Sequence, residues 1–157
     1  MHSIDLDKLD RRILDHLQAH GRATNLELAA VAGLSPAQCH RRHKRLEELG
    51  LVSGYYARLT PELLNLNVEA FIHIGMEKGH QRDLPKFLGL VQAMHQVQEF
   101  YSVTGDFDYM LKVVVQDLRA LSVFLMDTLM RLPGVDSVRS SVCLDRLKWT
   151  TALPLQT

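Results

Sequence analysis

The segment Gly33-Leu34-Ser35-Pro36-Ala37-Gln38-Cys39-His40-Arg41-Arg42-His43-Lys44-Arg45-Leu46-Glu47-Glu48-Leu49-Gly50 decides how this chain is read. Ser35 and Gln38 stand at capping-box spacing, where each side chain satisfies a free amide at the start of a helix, and Pro36 occupies the first helical position, where its missing N–H costs nothing. Gly33 allows a tight turn before that helix and Gly50 ends it. Arg41, Arg42, Lys44 and Arg45 fall within five positions, flanked by His40 and His43, and no acid occurs between Glu27 and Glu47. If Cys39, Leu46 and Leu49 face a core, then Gln38, Arg41, Arg42 and Arg45 point partly or wholly outward. Taken alone, such a run is a solvated helix face. What precedes it changes the reading.

Leu6, Leu9, Ile13, Leu14 and Leu17 form the stripe of an amphipathic helix from about Asp7 to His20, with Gly21 available as a left-handed cap. Thr24-Asn25-Leu26-Glu27 is a second capping box and opens a short helix to about Ala32. Helix, glycine turn, helix is the helix-turn-helix plan, whose second helix enters the DNA major groove. The candidate DNA contacts are therefore Ser35, Pro36, Gln38, His40, Arg41, Arg42, Lys44 and Arg45. Pro36, Gln38 and Arg41, near the helix start, are placed to read base edges, and Lys44 and Arg45 to clamp the backbone. The amides of residues 35–37 are candidate phosphate donors. His43 is either a half-buried structural histidine or a pH-sensitive group.

Past Leu51 the pattern changes to Val52-Ser53-Gly54-Tyr55-Tyr56-Ala57-Arg58-Leu59, which is β-prone, before Thr60-Pro61 interrupts it. The expected organisation is a DNA-binding domain over residues 1–52, a β linker over 53–66 and a second domain over 67–157. In the latter, strands are expected at residues 68–76, 97–104, 109–115 and 135–144. One helix carries Leu84, Phe87, Leu88, Val91 and Met94, and another, capped by Asp117, carries Leu118, Leu121, Leu125 and Leu129. The order β-α-β-β-α-β is the ferredoxin-like arrangement, an antiparallel four-stranded sheet with two helices on one face. Apolar residues on both strand alternations leave the other sheet face to be covered, and a second copy of the chain would do so, giving a homodimer. The fold class is thus α+β, with a three-helix, winged-type helix-turn-helix domain joined to a ferredoxin-like domain.

These residues resemble the Lrp/AsnC family of transcription regulators over nearly the whole chain. The resemblance rests on Leu9-Asp10-Arg11-Arg12-Ile13-Leu14, on the reading head from Gly33 to Gly50, on Thr104-Gly105-Asp106-Phe107-Asp108-Tyr109 between two strands, and on Leu132-Pro133-Gly134-Val135. It implies a regulator whose assembly and DNA binding respond to a small amino acid, with dimers associating into octamers. The effector-binding candidates that it implies are Thr104, Gly105, Asp106, Phe107, Asp108 and Tyr109. Turn amides suit an α-carboxylate and an aspartate suits an α-ammonium. Read without the resemblance, Gly105 and Asp106 simply shape a hairpin. His43 departs from the branched apolar residue that many members carry there.

Composition bounds the alternatives. The chain has 157 residues, 46% hydrophobic and 23% charged, with zero formal net charge, which describes a globular protein. Residues 1–58 hold 9 Lys and Arg against 7 Asp and Glu, and the remainder 9 against 11, so positive charge is concentrated locally rather than overall. Cys39 and Cys143 have no metal-type spacing and read as small buried or half-buried hydrophobes. An acidic start at Asp5 and Asp7 and the absence of a long apolar run fit a cytoplasmic protein with no membrane partner. No cofactor, metal or catalytic residue is expected. Asp106 and Asp108 with His73, His80 or His95 supply neither a nucleophile nor a recognisable metal motif. An architectural DNA-binding protein without an effector is the alternative.

Overall fold

The computed structural model describes residues 4–79 and 82–155. His80 therefore lies outside the described residues, as do the first three and last two positions. The chain forms two compact units, one of residues 59–147 and the other of the preceding residues together with the segment from Lys148 onward.

In the first unit three helices follow one another: α1 (Lys8–Ala19), α2 (Asn25–Ala32) and α3 (Pro36–Glu48). Each begins where its cap dictates. Asp7 accepts from the Leu9 and Asp10 amides, and both capping boxes, Thr24 with Glu27 and Ser35 with Gln38, are formed. Gly33 takes the left-handed conformation at φ 71° and lets the chain turn between α2 and α3. Gly21 does not serve as expected, because α1 ends at His20 with φ −132°. Ile13, Leu14, Leu17, Leu28, Ala29, Ala32, Cys39 and Leu46 make the core, with Leu6, Leu34, Val52 and Leu155 packed at its margin. Leu49, expected inside, is 44% exposed, since it follows the last turn of α3.

Residues 53–60 contain no strand, and a short 3₁₀ turn follows at Pro61–Leu64. Within the single chain the β-prone linker has no strand partner among the described residues, and a segment is a strand only when another takes its hydrogen bonds. The segment from Lys148, expected in the second domain, packs with the first: Leu155 joins its core margin, Gln18 Nε2 donates to the Leu153 carbonyl at 3.1 Å, and the Leu153 amide donates back to Gln18 Oε1.

The second unit contains β1 (Val68–Met76), α4 (Leu84–Gln92), β2 (Val97–Ser102), β3 (Tyr109–Val115), α5 (Leu118–Val123) and β4 (Val135–Val142). The strands lie in the order β2-β3-β1-β4, with antiparallel pairing throughout, which is the expected ferredoxin-like sheet. Alternation along β3 sends Tyr109, Leu111, Val113 and Val115 to the core side, where Ala70, Ile72 and Ile74 of β1 meet Phe87 and Val91 of α4 and Leu121, Phe124 and Leu129 beyond. α5 runs on as a π turn at Phe124–Thr128 and a 3₁₀ turn at Leu129–Arg131. Phe124 follows Leu121 on the buried face, the wider π turn keeps Leu129 on that face five residues later, and Leu118, at the helix start, is 62% exposed.

Candidate functional site

The first candidate surface is α3. Ser35, Pro36, Gln38, His40, Arg41, Lys44 and Arg45 are all exposed, while Cys39 and Leu46 anchor the helix from its other side. The capping box that starts the helix also occupies part of the expected contact set. Gln38 Oε1 accepts from the Ser35 amide at 3.2 Å and from the Ser35 hydroxyl at 2.9 Å. Because Pro36 has no N–H, Ala37 carries the open amide of that first turn among the described residues. The turn is fixed to α2 by Asn25 Nδ2, which donates to the Pro36 carbonyl at 2.9 Å.

Arg42 is half-buried. Its Nη1 reaches Asp7 Oδ2 at 2.7 Å and Asp10 Oδ1 at 2.8 Å, tying the middle of α3 to the start of α1. The hydrogen bonds to Asp10 and then Asp7 hold the guanidinium above its ordinary value. Arg42 thus ties α3 to α1 through Nη1, with its side chain 26% exposed, so it points only partly outward. Asp10 is 1% exposed and occupies a core position of α1, three residues before Ile13 and four before Leu14. Its place in the apolar stripe was the available signal, since a charge there requires a buried partner. Arg45 Nη1 stands 3.4 Å from the other Asp10 oxygen.

His43 is half-buried, as the structural reading of it expects. Its Nε2 lies 2.7 Å from the Tyr55 hydroxyl, which donates to Glu47 Oε1 at 3.0 Å. Burial first, then the bond to Glu47, pushes the Tyr55 phenol up to about 12. His40, Arg41 and Lys44 complete the exposed face, Lys44 standing 3.7 Å from Glu48.

The second candidate is the turn between β2 and β3. Thr104, Gly105 and Asp106 are exposed, Gly105 with φ 122°, and the Asp106 carboxylate makes no hydrogen bond or ion pair among the described residues. Asp108 is the tether of the turn. Its amide donates to the Ile74 carbonyl at 3.0 Å, its Oδ2 accepts from the Met76 amide at 2.7 Å, and its carbonyl accepts from Val103 at 3.0 Å. Phe107 lies against His73 with ring centroids 5.2 Å apart and under the Arg139 guanidinium at 5.4 Å. Tyr109, expected at the effector site, turns its ring into the core beside Phe87 and Phe100, at 5.2 and 5.5 Å, because strand alternation sends it to the helix side. His73, Arg139 and Met76 join the turn without having been expected there. His73 and Arg139 meet through the β1–β4 register, which pairs residues far apart in sequence.

Among the described residues no group of three or more His, Cys, Asp or Glu is placed to hold a metal, and no helix is long and apolar enough to cross a membrane.

Residues 6–47 match the AsnC-type helix-turn-helix domain and residues 69–153 the Lrp/AsnC ligand binding domain. The leucine-responsive regulatory protein of Escherichia coli K12 is 40% identical over 153 residues, covering 98% of this chain and 93% of its own. A transcriptional regulator of Neisseria meningitidis, solved as an L-Met complex, superposes with a TM-score of 0.92 at 41% identity, over 96% of this chain and 97% of that one. AsnC of Escherichia coli superposes with a TM-score of 0.87 at 28% identity, over 96% and 100%. Members of this kind are DNA-binding regulators rather than enzymes. The helix-turn-helix, the four-stranded sheet and these matches across both units give one conclusion: the chain belongs to the Lrp/AsnC family of transcription regulators.

Proposed function

We propose that this regulator binds specific DNA sequences through the exposed face of α3 and that a small amino acid, bound at the β2–β3 turn, alters its assembly and its DNA binding. The single observation that carries the effector reading is the turn itself. Gly105 and Asp106 are exposed beside Phe107, which is flanked by His73 and Arg139. An amino acid needs a cationic or amide partner for its carboxylate, an anion for its ammonium and an apolar contact for its side chain, and these types converge here. The name of the Escherichia coli relative and the L-Met complex of the Neisseria meningitidis protein support an amino acid as the class of effector. Linkage supplies the mechanism: an effector that binds one assembly state better shifts the population toward it.

The sheet face away from the helices carries Phe71, Met110 and Val114 among Glu69, His73 and Lys112, all half-buried in the single chain. A second copy covering this face makes the homodimer, and further association of dimers gives an octamer. DNA then meets paired reading heads, with Ser35, Pro36, Gln38, His40, Arg41, Arg42, Lys44 and Arg45 as the contact set.

The test is thermal stability of the purified protein against each common amino acid at millimolar concentration. A ligand that binds only the folded state raises the midpoint. A selective rise abolished by Asp106→Ala, with DNA binding retained, is the expected result. Asp106 is the better probe than Asp108, because Asp108→Ala also removes the carboxylate that accepts from the Met76 amide and so loosens the turn. No rise with any amino acid would overturn the effector reading and leave a DNA-binding protein without this response.

A further inference from the structure

We infer that Asp10 is a positioning residue for base selectivity: from α1 it buttresses Arg45 of α3, while Arg42 neutralises its other oxygen. The inference rests on α3 being the DNA-facing helix.

Three observations carry it. Asp10 is 1% exposed, and no other charged or polar residue among those described is as fully buried. Its two oxygens are divided, Oδ1 to Arg42 at 2.8 Å and Oδ2 to Arg45 at 3.4 Å. The two arginines differ in what they have left. The Arg42 side chain is 26% exposed and is held again by Asp7, whereas that of Arg45 is 48% exposed and touches Asp10 through Nη1 alone. The rest of the Arg45 fork remains on the outer face of α3, one turn beyond Arg41.

A phosphate contact needs charge, but a base-edge contact needs direction. An unsupported arginine on a helix samples many rotamers and loses that freedom when it engages a base. A buried carboxylate touching one end of the planar guanidinium restricts its directions beforehand and leaves the other donors free to face outward. Arg45 is thereby suited to reading bases, not only to the backbone clamping that its position along the helix suggests. Asp10 also places a negative charge behind the basic face, which weakens attraction to any phosphate backbone. Its two effects oppose each other: it should raise discrimination and lower indiscriminate binding.

That opposition supplies the test. Duplexes are enriched from a randomised pool with the full-length wild-type chain. Affinities for an enriched duplex and for a shuffled duplex of equal composition are then measured over a range of salt concentrations. Asp10→Asn is expected to lower the enriched-to-shuffled ratio about ten-fold, the scale of one base contact, while binding to the shuffled duplex is unchanged or tighter. Arg45→Lys, an exposed substitution that keeps the charge, is expected to lower the ratio similarly with the salt slope unchanged. The double variant should be no worse than either single one. Equal losses on both duplexes that track a fall in thermal midpoint would overturn the inference and make Asp10 purely structural. An unaltered ratio in Arg45→Lys, which does not depend on the buried substitution being tolerated, would overturn it as well. If the wild type enriches no duplex at all, the reading of α3 as the DNA face fails instead.

Discussion

Asp7 accepts three hydrogen bonds with one carboxylate, from the Leu9 and Asp10 amides on Oδ1 and from the Arg42 guanidinium on Oδ2. The bond from the Asp10 amide, more than the Arg42 contact, holds its carboxyl below the usual value. The sign of its contribution follows. A group whose folded value is depressed stabilises the fold at every pH above its unfolded value, about 4, and loses that contribution as pH falls through the lower folded value. Asp7→Asn is therefore expected to lower the denaturation midpoint of the first unit at neutral pH and to flatten its acid dependence. The two midpoint curves should converge once the pH has fallen below the depressed folded value. Parallel curves down to that pH would contradict it. Glu27, in the same unit, is depressed too, by the Thr24 amide, so the variant keeps a residual acid slope. At this scale the basic cluster was legible in the sequence but the destination of each cation was not. Arg41 and Arg42 are adjacent and chemically identical, yet Arg42 falls on the side of α3 that meets Asp7 and Asp10.

At the scale of elements, helix starts were the most legible features, because a cap and its partner lie three residues apart and need no other part of the fold. Ser35→Ala removes the acceptor of the Gln38 amide and the hydroxyl that Gln38 Oε1 accepts from. It is expected to cost about 1 kcal/mol of first-unit stability, read from a denaturant midpoint with unchanged slope. A change below a few tenths would show that water replaces the cap without loss. The path of the helix after Asp117 was less legible. A 3.6-residue period assigns Leu118, Leu121, Leu125 and Leu129 to one face, but the helix buries Leu121, Phe124 and Leu129, the π turn at Phe124–Thr128 carrying the face across the five-residue step from Phe124 to Leu129. Residues 53–60 are unpaired for a different reason, since strand propensity specifies half of a pair and the described residues of the single chain offer no partner strand.

For the whole molecule, the chain leaves the first unit near Arg58 and returns to it at Lys148. The returning segment is held by the paired Gln18–Leu153 hydrogen bonds and by Leu155, and Arg58 lies 3.7 Å over the Trp149 ring. Truncation before Lys148 is expected to lower first-unit stability by about 2 kcal/mol, from a partly buried leucine and two hydrogen bonds, and to leave second-unit unfolding in place. Unfolding of both units followed by separate probes checks this, and an unaltered first transition would show the segment to be dispensable. The sequence by itself determined the helix-turn-helix, the four-strand order with its two helices, and the location of the reading helix. Each is written in local signals: caps a few residues apart, glycines that permit a turn, and apolar periods of about 3.6 and 2. Only the tertiary structure decided that Arg42 is the half-buried counter-ion of buried Asp10, that Tyr109 belongs to the core, that His73 and Arg139 stand at Phe107, and that the C-terminal segment packs with the first unit. Those outcomes depend on which side chains meet after distant elements pack, and burial and charge neutralisation, not neighbouring residues along the chain, select among the meetings.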